Sequence, residues 1–188
     1  MTKVPKTNRG PVAGPENRAA LIAAARAVFD ERGLDAPLSA VARKAGVGQG
    51  SLYRHFPDRT ALAVAVFEEN LVELEALAAR PGSTLRDVVD LATYQAQGAA
   101  AFIETIIVAR ADARVQEYDA RLRAVLADKW AQASESGAVA PGTTSDDLML
   151  ALGMVAMFLS HAPRAQRAEI AERAWGLLGP GLGRLEAP

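Results

Sequence analysis

Residues 38–56 read Leu38-Ser-Ala-Val-Ala-Arg-Lys-Ala-Gly-Val-Gly-Gln-Gly-Ser-Leu-Tyr-Arg-His-Phe56, and their pattern decides the fold. Leu38, Val41, Ala42 and Ala45 recur at helix-face spacing and stop at Gly46; a second short helix runs from Gln49 to Phe56 and is stopped by Pro57. Two short helices joined by a tight glycine turn form a helix-turn-helix. Ala42 is small where the helices cross, and Gly46 can take the positive φ of a sharp turn. Val41, Ala45, Val47, Leu52 and Phe56 wedge the pair onto the preceding helix. With Leu52 inward, steps of 100° put Phe56 beside it, turn Gly50 and Arg54 outward, and leave Ser51 and Tyr53 on the flanks. The outward face is therefore small at its start and cationic further on. Such a helix end can approach base edges, and its free N–H groups favour phosphate. Arg43, Lys44, Arg54 and Arg59 supply cations that displace counterions from a polyanion.

Upstream, residues 1–15 carry Lys3, Lys6, Arg9 and three prolines and read as a flexible basic arm. A helix follows from Glu16 to Gly33, with Leu21, Ile22, Ala25, Val28 and Phe29 on one face, and Pro37 suits the first position of the next. Downstream, a long helix is expected over 58–79, then a break at 80–83 and helices over 84–100, 101–109 and 113–135. A Gly/Pro loop fills 136–144, helices occupy 146–161 and 165–178, and the tail after Gly179 is expected to fray. No internal repeat and no clean strand alternation is present, so the fold class is all-α.

Composition agrees. Of 188 residues half are hydrophobic, 40 are alanine and only 5% are aromatic, a balance that favours helices over a strand-rich sandwich. The absence of cysteine excludes disulfides, thiolate zinc sites and cysteine nucleophiles. With two histidines, neither a metal site nor a cofactor is expected. The longest apolar run, near 148–159, is interrupted by Gly153 and falls short of the roughly 18 residues a spanning helix needs. A polar N-terminus without a signal-peptide pattern makes a cytoplasmic address the expectation. The net charge of −1 conceals an asymmetry. Residues 1–59 hold 10 Lys and Arg against 5 Asp and Glu, whereas 60–188 hold 11 against 17. A basic head on an acidic body suits a head that meets a polyanion.

The segment Ala45-Gly-Val-Gly-Gln-Gly-Ser-Leu-Tyr-Arg-His-Phe-Pro-Asp-Arg59 resembles the recognition helix and following turn of TetR-family transcriptional regulators. The span from about Asn17 to Phe67 fits that family's DNA-binding head; beyond it the likeness is one of architecture. The resemblance implies an arm (1–15), an N-terminal three-helix DNA-binding head (16–60) and a C-terminal helical ligand-binding and dimerisation body (61–188). It also implies a homodimer, a palindromic double-stranded operator and a small-molecule effector that releases a repressor. Carried residue by residue, Gln49, Gly50, Ser51 and Tyr53 face the groove, and Tyr53, His55 and Arg59 contact phosphate, alongside the cations Lys44 and Arg54. The helical wheel puts Gln49 nearer the buried side than the resemblance does. Two departures weaken helix caps: Ala36 and Pro37 stand where Ser or Thr is common, and Gly48 where Ser is common.

Other readings of the same residues are less well supported. Gly46, Gly48 and Gly50 mimic a phosphate-cradling loop, but no buried strand precedes them. Ser51 and His55 lie four apart like a nucleophile and base, without a third partner or oxyanion donor. An all-α enzyme would need a catalytic pair that the sequence does not offer; a DNA-binding regulator without an effector is the other alternative. In the body, Tyr94, Gln97, Phe102, Trp130, Met157 and His161 are candidates for an effector pocket, with core packing the alternative for each. The helix over 146–161 is apolar nearly all round, which calls for burial on every side. Leu152, Val155, Phe158 and Leu159, with Trp175 and Leu178 from the last helix, are the expected dimer interface.

Overall fold

The computed structural model describes residues 13–33 and 36–183. Among them the chain forms nine α-helices: α1 (Ala13–Arg32), α2 (Leu38–Lys44), α3 (Gln49–His55), α4 (Arg59–Ala78), α5 (Leu85–Gly98), α6 (Ala100–Val108), α7 (Ala113–Glu135), α8 (Ser145–His161) and α9 (Arg167–Leu182). A single 3-10 turn, Arg164–Gln166, leads into α9. The expected helices are all present, most within two residues of their expected ends. The greater part of the proposed arm lies outside the described residues, but its last three residues form the first turn of α1.

The turn between α2 and α3 follows from Gly46. Its φ of +67° lets its N–H donate to Arg43 C=O, while Val47 N–H reaches Ala42 C=O. This 5→2 and 6→1 pair satisfies the carbonyls at the end of α2. Pro37 is the N-cap of α2 rather than its first helical residue, and Gly48 caps α3; neither provides a side-chain hydrogen bond. These short helices are held by burial instead. Val41, Ala42, Leu52 and Phe56 are buried against Leu21, Ala25, Val28 and Phe29 of α1.

That core does not close at the end of α3. Leu62, Ala63 and Val66 of α4 belong to it, as do Ala99 and Phe102 at the start of α6. The Phe102 ring meets Phe29 edge-on at 5.1 Å between centroids, and Asp30 of α1 accepts from Arg167 of α9 at 2.9 Å. Head and body thus share a core and a partly buried ion pair. Farther along, Leu71 and Leu74 of α4 enter a second core with Val88, Leu126, Trp130 and Leu148. Arg121 of α7 clamps this half of α4 by pairing with Glu68 and Glu75.

The tail expectation is corrected by the structure. α9 continues through Pro180 to Leu182, which is buried, and Ala140 N–H donates to Leu182 C=O at 2.8 Å. Gly183 closes the contact at φ +116°, where a Cβ would collide with the backbone of Val139 and Ala140. This anchor to the loop before α8 outweighs the glycine and proline content. Residues 184–188 lie outside the described residues.

Thr84 and Thr144 form capping boxes with Asp87 and Asp147 at the starts of α5 and α8. These hydrogen bonds hold both carboxyls below the ordinary range, and the Arg114 side chain and N–H hold Asp112 down to about 2. A carboxyl depressed in the fold stabilises it above its unfolded pKa and loses that contribution as pH falls. Helicity followed by circular dichroism should therefore hold above about pH 5 and decline between about pH 4 and pH 2, and Asp112→Asn should flatten that decline. Phe102→Ala, by opening a cavity where head meets body, should lower stability in urea by about 3–5 kcal/mol.

Candidate nucleic-acid interface and interior cavity

α3 packs by Leu52 alone, which is fully buried, with Phe56 buried just past its end. Gln49, Gly50, Tyr53 and Arg54 are exposed, and Ser51 and His55 are half-buried on the flanks. Tyr53 is 51% exposed, unusual for a large ring with no outside partner, so it is free to meet one. Gln49 faces solvent, as the family likeness implied and the helical wheel did not, because a residue in the first turn projects past the helix end. Gly50 has open space where a Cβ would be, leaving a low patch between Gln49 and Arg54. The α3 surface thus combines an amide, a phenol, a guanidinium and a gap.

The cations divide into two groups. Arg43 and Arg54 are exposed. Lys44, also exposed, donates to Glu31 of α1 at 2.8 Å. Arg59 turns inward: its Nη2 donates to Ala36 C=O at 2.8 Å and its guanidinium lies 4.9 Å from the Phe29 ring centre. Beside the phosphate contact expected of it, Arg59 thus has an internal role, since the loop before α2 presents a carbonyl and α1 presents the ring of Phe29 to it. No sequence signal marks that contact, because Ala36 and Arg59 lie 23 positions apart in the chain.

The six residues expected to line one effector pocket are scattered. Phe102 is buried in the head–body core and Trp130 in the body core. His161 is exposed and lies 2.9 Å from Glu104, and Met157 lies on the outer face of α8 with Leu150, Met154 and Phe158. Only Tyr94 and Gln97 meet, at the rim of an open cleft of about 630 Å³ beside Trp175. Instead, α4, α5, α6, α7 and α8 line a separate, half-open apolar cavity of about 120 Å³ walled by Phe67, Asn70, Leu74, Ile103, Tyr118 and Met149, among others. The sequence does not reveal it because its walls come from five helices, each contributing residues that look like ordinary core.

The expected dimer residues also divide. Leu152, Val155 and Leu159 are buried within the chain's own cores, as their spacing of three and four places them on one inward stripe. Trp175 donates its indole N–H to Thr93 at 2.9 Å, and Leu178 packs half-buried beside it. Phe158 alone of the α8 residues named points outward, 71% exposed. It is joined by Leu150 and Met154, and by Leu177 of α9.

Comparison with known proteins agrees with this geometry. Residues 21–66, spanning α1 to the first part of α4, match the family described as bacterial regulatory proteins, tetR family. The TetR transcriptional regulator SCO0520 of Streptomyces coelicolor is 30% identical, with 88% of this chain and 98% of that one aligned and a TM-score of 0.58. The chain belongs to the TetR family. An HTH-type transcriptional regulator of Staphylococcus aureus is 37% identical over 57 residues, 30% of this chain and 31% of the relative's own length. The likeness to such curated relatives thus spans about a third of them. The TetR-family protein CprB of S. coelicolor, 21% identical with a TM-score of 0.63 over 91% of this chain and 90% of that one, shares the fold. These relatives are regulators of transcription rather than enzymes. Among the described residues, no helix is long and apolar enough to cross a membrane.

Arg59→Ala should lower the melting temperature, and Arg59→Lys should not restore it, because an ammonium cannot both stack on Phe29 and donate with the same planar geometry. Differential scanning calorimetry of the two variants checks this role. Stability equal to wild type would overturn this internal role.

Proposed function

We propose that this TetR-family regulator is a homodimeric repressor that reads a palindromic operator and is released by a small molecule. The observation that carries the reading is the α3 surface, on which Gln49, Gly50, Ser51, Tyr53 and Arg54 lie at the free edge of a helix-turn-helix. Gln49 suits base-edge recognition, since an amide can pair with adenine in two directions; Tyr53, His55 and Arg54 suit phosphate. Lys44, exposed beside them, shares its ammonium with Glu31.

Dimerisation is supported by the outward apolar row of Leu150, Met154 and Phe158 on α8, and by the exposed Leu177 on α9, which water would otherwise cover. Two heads joined through that face would enter successive major grooves when spaced by roughly 34–36 Å or a multiple. Effector response is supported by α4, which is buried in the head at Leu62 and Val66 and walls the body cavity at Phe67 and Leu74. An occupant that favours a different setting of α4 would shift the head, by no more than its difference in affinity for the two settings.

Selection of bound duplexes from a random DNA pool at near-physiological salt tests the reading, and a two-fold symmetric motif is expected. On that motif, Arg54→Ala should weaken binding to all sequences alike and reduce the salt slope by about one, while Gln49→Ala should change base preference. Phe158→Glu should give monomers by sedimentation at micromolar concentration and abolish cooperative occupation of the two half-sites. A random selected pool from well-folded dimer would point to a regulator that does not read sequence by α3.

A further inference from the structure

Asn70 lies midway along α4, is only 7% exposed, and stands on the cavity wall close to the head. Its Oδ1 accepts from Arg26 of α1 at 2.9 Å, and the same guanidinium nitrogen donates to Val66 C=O at 3.0 Å. A guanidinium can only donate, so this bond fixes which end of the amide is oxygen. The amide nitrogen is left at the other end, shielded from solvent, with no acceptor among the described residues. A buried N–H pair without a partner disfavours the empty state and rewards any acceptor brought to it. Asn70 stands between a polar cleft that holds Arg26, Glu69 and Glu73 and the apolar cavity, whose other polar residues are Tyr118 and Gln95 and whose wall has no charged side chain. Burial, reinforced by Glu68 and Asp119, pushes the Tyr118 phenol up, so it stays neutral. Gln95 is engaged, donating to Asn70 C=O at 2.9 Å and to Glu73 at 3.1 Å.

We infer that the cavity takes a small, uncharged, mainly apolar molecule bearing one hydrogen-bond-accepting oxygen, that the Asn70 amide nitrogen recognises this oxygen, and that Asn70 passes occupancy to the head through Arg26. The inference rests on the effector-responsive reading above. A volume of about 120 Å³ matches a single ring, since a cavity of about 150 Å³ holds benzene. A charge is disfavoured because no charged side chain lines the cavity to neutralise it. The coupling is mechanical: one face of the amide serves the ligand and the other holds α1, so movement toward an occupant alters the hold of Arg26 on α4.

The test uses the full chain with cyclohexanone and methylenecyclohexane, which share ring and shape and differ in having C=O or C=CH2. Binding is read by titrated thermal shift, and head response by release of a selected DNA duplex at saturating probe. Cyclohexanone is expected to bind about five- to tenfold tighter than the alkene, the size of one buried hydrogen bond. Asn70→Leu should abolish this difference, and Arg26→Gln should keep it while reducing DNA release severalfold. The wild-type comparison stands whether or not the variants fold. Equal affinity for the two probes would overturn recognition by Asn70 and leave a ligand cavity in place; binding of neither would overturn both. Undiminished release from Arg26→Gln would overturn the relay.

Discussion

The double burial of α4 is the constraint on which the other features depend. One end of the helix is locked among Phe29, Leu62 and Val66, and the other among Leu71, Leu74 and Leu126, so it cannot tilt at one end without disturbing the other. Closely packed interiors transmit such displacement rather than absorb it. The α3 surface is therefore not an independent module. Its support, α1, is tied to α4 through Arg26, to α6 through Phe29 and Phe102, and to α9 through Asp30 and Arg167.

These ties differ in kind, and the difference shapes how the head can respond. The Phe29–Phe102 contact is apolar and fully buried, so it resists separation in any direction. The Asp30–Arg167 pair is directional and partly shielded, with the Arg167 guanidinium also donating to Gln97 C=O. The Arg26–Asn70 bond is directional too, and it is the tie that touches the cavity wall. A head hinged on an apolar contact and steadied by polar ones can rotate about the first while exchanging the second.

The charge asymmetry takes physical form in the same way. Lys44 and Arg59 of the basic head are occupied by Glu31 and by the loop before α2. Arg43 and Arg54 stay exposed at the helix-turn-helix edge, as Arg18 and Arg32 do on α1. Net charge sets the character of a domain, but pairing decides which cations remain available to a partner.

The helices themselves were determined by sequence. The spacing of Leu38, Val41 and Ala42, the punctuation by Gly46 and Pro57, and the inward Leu52 and Phe56 are local signals, and locally encoded elements form where the signals place them. The resemblance at residues 45–59 likewise identified the family from contiguous residues. What only tertiary structure decided lies between helices. The direction of Arg59, the burial of Phe102, Leu152 and Leu159, the anchoring of Leu182 and the cavity beside Asn70 each join residues far apart in the chain. An apolar helix such as α8 offers two faces that look alike in sequence. Which one turns to the core depends on the shape of its neighbours, and that information belongs to no single segment.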